Sequence, residues 1–269
     1  MKTLIINMIR AFILHFNKNE REFSRLLNKY GSYERYKSIQ NLRFFNYTFF
    51  VPDARSFIWQ FKEIFVDEIY KFETKNTVPV IFDVGSNVGT SVLYFSLNYP
   101  QARIIAFEAD PNIARICSKN LLNNGVKNVE VINKAVWVDC NGIEFSIEGA
   151  DGGSIKGGES KKKNIETIRL REYLAREEFI DFLKIDIEGA EYEVLLDCAE
   201  HLSNVQNIFV EYHSWSDTPQ KLSDILKVFE KYGFRYYIQD FSRRKNPLVN
   251  HGKGQNMDLQ LNIFGVKIA

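Results

Sequence analysis

Val78-Pro79-Val80-Ile81-Phe82-Asp83-Val84-Gly85-Ser86-Asn87-Val88-Gly89-Thr90 is the stretch whose reading decides the fold. Val80, Ile81, Phe82 and Val84 form a short, nearly continuous apolar run, the pattern of a parallel strand covered on both faces. Asp83 falls near its carboxyl end. Gly85 and Gly89 permit backbone conformations closed to residues with a β-carbon, and they let a ligand approach main-chain N–H groups where the next helix begins. Strand, glycine turn and helix in that order are the layout of a nucleotide-type cofactor site.

On the C-terminal side of this stretch, strands and helices alternate. Thr90 to Asn98 reads as a helix ended by Tyr99-Pro100, and Ala102 to Glu108 as a second buried strand. Asp110-Pro111 supplies an N-cap and a proline at the first helical position, and Asn124-Gly125 closes that helix. Val129 to Val136 is expected as strand three, Phe182 to Ile187 as strand four and Ile208 to Tyr212 as strand five. Ile143 to Ile147 alternates like an edge strand, and residues 149–164 read as a mobile lid whose Lys161-Lys162-Lys163 run is a solvated loop face. A short helix is expected around Arg171 to Glu178. Thr218 and Pro219 mark the start of a later helix and Gly233 its end, before two last strands, Phe234 to Ile238 and Leu259 to Ile268. The pattern is a doubly wound α/β sheet over residues 76–269.

On the N-terminal side, residues 1–75 read as a helical and aromatic extension. Ile5, Ile9, Phe12, Ile13 and Phe16 recur at helical spacing, and Phe23, Leu26 and Leu27 continue into a second amphipathic helix. Residues 1–40 carry eight Lys/Arg against three Glu. This start reads either as a cap on the main domain or on a second subunit of a homodimer, or as a peripheral membrane contact. Asn7, Arg10 and His15 break its apolar run, which is too short to span a bilayer and has no small-residue cleavage site behind it. Arg43 to Val51 has the aromatic density of a hairpin, and residues 56–71 read as a helix.

Composition narrows the partners. The chain has 269 residues, 45% hydrophobic, enough for a sizeable core, and its net charge of +1 provides no field for nucleic acid. Cys117, Cys140 and Cys198 are widely spaced without a C-x-x-C, which fits a reducing, cytoplasmic setting and no structural zinc site.

In a sheet of this kind, ligands bind beyond the carboxyl ends of the strands. Glu108, nineteen residues past Gly89, is placed to accept hydrogen bonds from both hydroxyls of a ribose. Asn87 stands where a dinucleotide fingerprint has its second glycine, and Asp83 repels phosphate yet pairs with an ammonium. That combination favours S-adenosylmethionine over a nicotinamide dinucleotide, the cofactor of the competing oxidoreductase reading. A non-catalytic partner protein that keeps the fold is the third reading.

Asp83–Gly89, Ala106–Pro111 (Ala-Phe-Glu-Ala-Asp-Pro), Lys184–Glu191 (Lys-Ile-Asp-Ile-Glu-Gly-Ala-Glu) and Glu211-Tyr212-His213, in this order, resemble the FkbM-type S-adenosylmethionine-dependent methyltransferases. The resemblance covers about residues 45 to 267. It implies a class I, Rossmann-like methyltransferase fold, a mostly parallel seven-stranded sheet with the last strand inserted antiparallel. It also implies O-methylation of a hydroxyl on a small-molecule or glycan acceptor, a sugar or secondary metabolite. Carried onto this chain, it places Asp83, Gly85, Ser86, Asn87 and Gly89 around the methionine part, Glu108 on the ribose and Ala135-Val136 near the adenine, with Asn133 or Asp139 as alternatives there.

Catalysis needs an aligned hydroxyl and a proton acceptor. Lys184, Asp186, Glu188 and Glu191 cluster on the strand-four turn, with Asp186 next to the cofactor, and Glu211 and His213 alternate on strand five and so share a side. His213, with an ordinary pKa of ~6.5, is expected as the base. Alternatively, Asp186 with Glu211 or His213 holds a divalent metal that acidifies the hydroxyl.

Overall fold

A computed structural model describes residues 17–147, 161–240, 245–250 and 257–268. The expected helix over Ile5–Phe16 and residues 149–160 of the expected lid lie outside them. Among the described residues, no helix is long and apolar enough to cross a membrane.

Helix Lys18–Tyr30 is capped by Asn17, whose side chain accepts from the N–H groups of Asn19 and Glu20, and it buries Leu26 and Tyr30. The hairpin follows as β1 (Ile39–Phe44) and β2 (Tyr47–Val51). Asp53 then caps helix Ala54–Phe61, which continues as a π-helical turn, Lys62–Val66, so the expected helix over 56–71 is shorter and changes its winding. A continuous apolar cluster joins these elements to the main sheet, through Phe44, Phe57, Phe61 and Phe65 to Tyr94 and Phe209. Two asparagines fasten the hairpin. Asn120 and Asn124, one helical turn apart, each accept an N–H from β2 and donate back to the same residue's carbonyl, at Phe50 and Thr48, so they complete hydrogen bonds that a neighbouring strand would make.

The main sheet contains β3 (Val80–Val84), β4 (Arg103–Phe107) and β5 (Val129–Ile132) on one side of the point where strand order reverses. Two further short pairs lie apart from it. β6 (Ala135–Val136) pairs with β9 (Thr167–Ile168), and β7 (Ile143–Ile147) pairs with β8 (Lys161–Ile165) as a separate ribbon. Strand three is therefore split. Ile143–Ile147 is no edge of the main sheet, and Lys161–Lys163 lie in a strand, not a loop.

On the other side of the reversal come β10 (Ile180–Ile185) and β11 (Val205–Trp215), then β13 (Met257–Lys267) and β12 (Phe234–Asp240). The order is β12-β13-β11-β10-β3-β4-β5; β13 runs antiparallel to both neighbours and the remaining pairs are parallel. This is the seven-stranded class I arrangement with its last strand inserted antiparallel. The reversal falls between β3 and β10, where a ligand crevice belongs.

Local chemistry explains most boundaries. Gly89 enters helix Thr90–Asn98 at φ 92°, and Asp110 caps helix Pro111–Asn123 through the N–H groups of Asn112 and Ile113. The late helix is different: it runs Leu222–Lys231, three residues past the expected proline start. Thr218 donates its hydroxyl to the Trp215 carbonyl, and the Lys221 N–H is taken by the Tyr212 hydroxyl, so a tertiary turn replaces the local cap.

Candidate active site

A cavity of about 380 Å³ opens at the reversal point. Its first wall is the turn after β3. Gly85 and Ser86 each donate an N–H to the Phe107 carbonyl, at 3.0 and 2.9 Å, tying the turn to β4. A β-carbon on Gly85 would stand 1.8 Å from the Asp186 carbonyl oxygen, so only glycine allows the β3 and β10 turns to close against each other. Asn87 adopts φ 47°, a left-handed conformation that asparagine tolerates better than most residues. Its N–H donates to Glu108 Oε2 at 2.9 Å, while Asp110 N–H donates to Oε1 at 2.9 Å. Burial pushes the Glu108 carboxyl up to about 7 against the pull of those two bonds.

Gly85, Ser86, Asn87, Glu108, Ala135 and Val136 all line the cavity. Asn133 and Asp139 do not. The Asn133 amide is spent on the carbonyls of Glu108 and Ala109, and Asp139 accepts the Asn141 N–H. Gly89 lies behind the wall, facing Cys117 and Leu121.

Asp83 requires a correction. It was expected to meet the cofactor, but it is fully buried and absent from the cavity wall. Strand register explains this: Asp83 on β3 stands opposite Lys184 on β10. Its Oδ1 is 3.3 Å from Lys184 Nζ, and its Oδ2 accepts the Ser91 hydroxyl at 2.5 Å. Lys184 donates to the Gly85 carbonyl at 2.7 Å and lies 3.2 Å from Asp186 Oδ2. Burial opposes its charge, yet Asp186 and Asp83 raise its pKa above the ordinary lysine range, so the ammonium persists. Asp83 thus pairs with a buried lysine that pins the turn after β3.

The opposite wall is acidic. Asp186, Glu188 and Glu211 line it, with Glu188 held at φ 53° in the β10 turn. Burial first, then Asp186, Glu191 and Glu211, push Glu188 up to about 8 against the attraction of His213. Burial and Asp186 push Glu211 up to about 7. β11 and β13 overrun the end of β10, bringing Gln260 and Asn262 to the same wall, and the Gln260 amide donates to Glu211.

His213 lies beneath this wall, 4% exposed, and does not line the cavity. Its Nδ1 is 3.0 Å from Glu191 Oε1, and its Nε2 is 3.7 Å from both Glu188 Oε2 and Glu211 Oε1. Burial works against charge on the ring, but Glu191, Glu188 and Glu211 raise its pKa well above the usual 6.5. With Nδ1 committed to Glu191 and the ring kept off the cavity wall, His213 is not placed to act as the expected base, and the carboxylates that line the cavity are.

The third wall comes from the N-terminal extension, which the sequence reading did not connect to the site. Trp59, Gln60 and Glu63 reach the cavity from the helix and its π-turn. Burial and the nearby Asp186 push Glu63 up to about 7. π-turns occur often at functional sites, and this one, within Phe61-Lys62-Glu63-Ile64-Phe65, brings the Glu63 carboxyl to the cavity wall.

Residues 83–236 match the Methyltransferase FkbM domain family. The chain belongs to that family. Methyltransferase sdnD of Sordaria araneosa is 29% identical over 188 residues, 56% of this chain and 73% of that protein. The 2-O-methyltransferase NoeI of Sinorhizobium fredii is 29% identical over 156 residues, 50% of this chain and 63% of that protein. A crystal structure of methyltransferase FkbM from Methylobacillus flagellatus shares 11% identity over 72% of this chain and 45% of its own, with a TM-score of 0.47. A methyltransferase family replaces the oxidoreductase alternative.

Proposed function

We propose that this FkbM-family methyltransferase uses S-adenosylmethionine to O-methylate a hydroxyl on a sugar, glycan or other secondary metabolite. The observation that carries the reading is one cavity walled by a nucleoside-type turn on one side and by near-neutral carboxylates on the other. The residues present fit that donor. Glu108 accepts from a ribose diol, Ala135 and Val136 offer an apolar face to adenine, and the acidic wall suits a cationic amino-acid part while repelling a pyrophosphate.

S-adenosylmethionine supplies a sulfonium methyl: the acceptor oxygen bonds to carbon as the sulfur–methyl bond breaks and its electron pair returns to sulfur. The chain supplies alignment and a proton acceptor. Glu188, pushed up to about 8, is matched to take a hydroxyl proton near neutral pH. Trp59 and Gln60 on the rim, with Gln260 and Asn262 on the far wall, offer an apolar face and amides to a hydroxylated acceptor. The name of NoeI, a 2-O-methyltransferase, supports oxygen as the methylated atom.

Isothermal calorimetry with S-adenosylhomocysteine tests the donor, and labelled S-adenosylmethionine with a panel of hydroxylated glycans and metabolites tests the transfer. Glu108→Ala is expected to abolish measurable binding. A folded wild-type protein that binds neither S-adenosylmethionine nor its product at millimolar concentration would remove the enzyme reading and leave the non-catalytic one.

A further inference from the structure

We propose that Asp186, Glu211 and His213 form a divalent-cation site, of the Mn²⁺ or Mg²⁺ class, in the acidic wall of the cavity. One oxygen or nitrogen from each lies within 4.8 Å of the others, with Glu211 Oε1 3.7 Å from His213 Nε2. Ligand atoms held about 2.1 Å from an octahedral ion stand about 3 Å apart when adjacent, so a modest closure of the three side chains completes the set.

The imidazole makes this more than a cluster of acids. His213 is buried, and its Nδ1 is committed to Glu191 Oε1 at 3.0 Å. Glu191 is in turn fixed as an acceptor by the N–H groups of Ile187 and Gly189, at 3.2 and 2.9 Å. That chain assigns one ring hydrogen to Nδ1 and aims Nε2 at Glu188 and Glu211, and a cation binding there would release any proton from Nε2. The nearest oxygens to Nε2 are at 3.7 Å, beyond hydrogen-bond range, so the atom that would bind a metal is positioned without being bonded to either carboxylate. A carboxylate orienting a ligand histidine from behind is the usual support of a metal-binding imidazole.

The donor set indicates the ion's class. Two carboxylates and one imidazole, with no thiol among them, suit a hard or borderline ion. The wall also needs positive charge. Glu63, Asp186, Glu188 and Glu211 all line the cavity, with Lys184 as the cationic residue on the same side. The inference rests on the methyl-transfer reading for its purpose: an ion here would hold the acceptor oxygen and lower the pKa of its hydroxyl.

The test is titration of the chelator-treated full chain with MnCl₂, followed by electron paramagnetic resonance, with S-adenosylhomocysteine calorimetry run in parallel. One Mn²⁺ per chain is expected, weakened at least tenfold by Glu211→Gln and by His213→Gln, and also by Glu191→Gln, which removes the support and not a ligand. Circular dichroism checks that each variant is folded. Wild-type protein that binds the cofactor product but no Mn²⁺ would overturn the site, as would Mn²⁺ affinity unchanged in folded Glu211→Gln and His213→Gln. Mn²⁺ binding lost in those variants, with no cofactor binding by wild type, would uphold the site and overturn the methyl-transfer reading.

Discussion

Replacing Lys184 by methionine is the sharpest probe of how the turn after β3 is built. The ammonium is 3% exposed and holds three oxygens: the Gly85 carbonyl at 2.7 Å, Asp186 at 3.2 Å and Asp83 at 3.3 Å. At an effective dielectric of about 20, opposite charges at that last distance attract by about 5 kcal/mol. Methionine keeps the volume and removes the charge, leaving the fully buried Asp83 carboxylate with Ser91 alone. Losses of about 3–5 kcal/mol are typical when one partner of a buried pair is deleted, a large share of the 5–15 kcal/mol, roughly, that holds a domain together. Urea unfolding followed by tryptophan fluorescence reads this loss. The pH dependence supplies a second signature. Burial already raises the Asp83 pKa while Lys184 lowers it, so without the lysine the folded-state pKa rises further. A raised folded pKa gives stability that is full below the unfolded value and is lost as pH climbs through the folded one. The deficit of Lys184→Met against wild type should therefore grow from pH 5 to pH 8, and Asp83→Asn added to it should recover much of the loss. A deficit under about 1 kcal/mol that does not change with pH would refute the argument.

Three further outcomes follow from the same geometry. Because Glu108 titrates near 7, its ionised fraction rises about tenfold between pH 6 and pH 8, so calorimetric affinity for S-adenosylhomocysteine should rise by up to that factor, and Glu108→Gln should flatten the profile. Gly85→Ala forces a β-carbon to 1.8 Å from a backbone oxygen at φ 88°, and should lower stability by about 2–5 kcal/mol; Gly125→Ala, at φ 75° with nothing within 4 Å, should lose only about 1–2 kcal/mol, and equal urea midpoints for the two would contradict the packing argument. Trp59→Ala should leave cofactor affinity unchanged but raise KM for an accepted hydroxyl substrate by up to about tenfold, the range of one aromatic contact, and an unchanged KM in steady-state assays would remove Trp59 from the acceptor wall.

Much of the fold was legible because its signals are local. Apolar runs of strand length, Asp110 before Pro111, and the glycines after β3 each act within a few residues, and helix Thr90–Asn98 begins and ends where the sequence places it. Failures occurred where a distant contact overrode a local preference. Thr218-Pro219 carries a good helix-start pattern, but the Tyr212 hydroxyl claims the Lys221 N–H and delays the helix. Ile143–Ile147 alternates as an edge strand does, and nothing in it tells that its partner is the lysine run of β8. The antiparallel insertion of β13 is likewise a property of strand order, and only the family resemblance pointed to it.

The site divides along the same line, and the division bears on mechanism. Residues on one continuous turn, Gly85 to Asn87, could be assigned together, whereas the protonation of His213 depends on Glu188, Glu191 and Glu211, contributed by two different elements. A lone histidine at a strand end reads as a base because its ordinary pKa is near 7. Here three acids surround the ring and raise its pKa, and the carboxylates beside it, lifted to about 7 and 8, take over the range near neutrality. Asp83 shows the converse, since a strand-end acid that looks free to meet a ligand is consumed by a lysine 101 positions away. Glu63 falls within the expected helix over residues 56–71, where its position gives no sign of the cavity. A carboxyl has to be placed somewhere polar, and here the polar place is the cavity, which makes the N-terminal extension part of its wall.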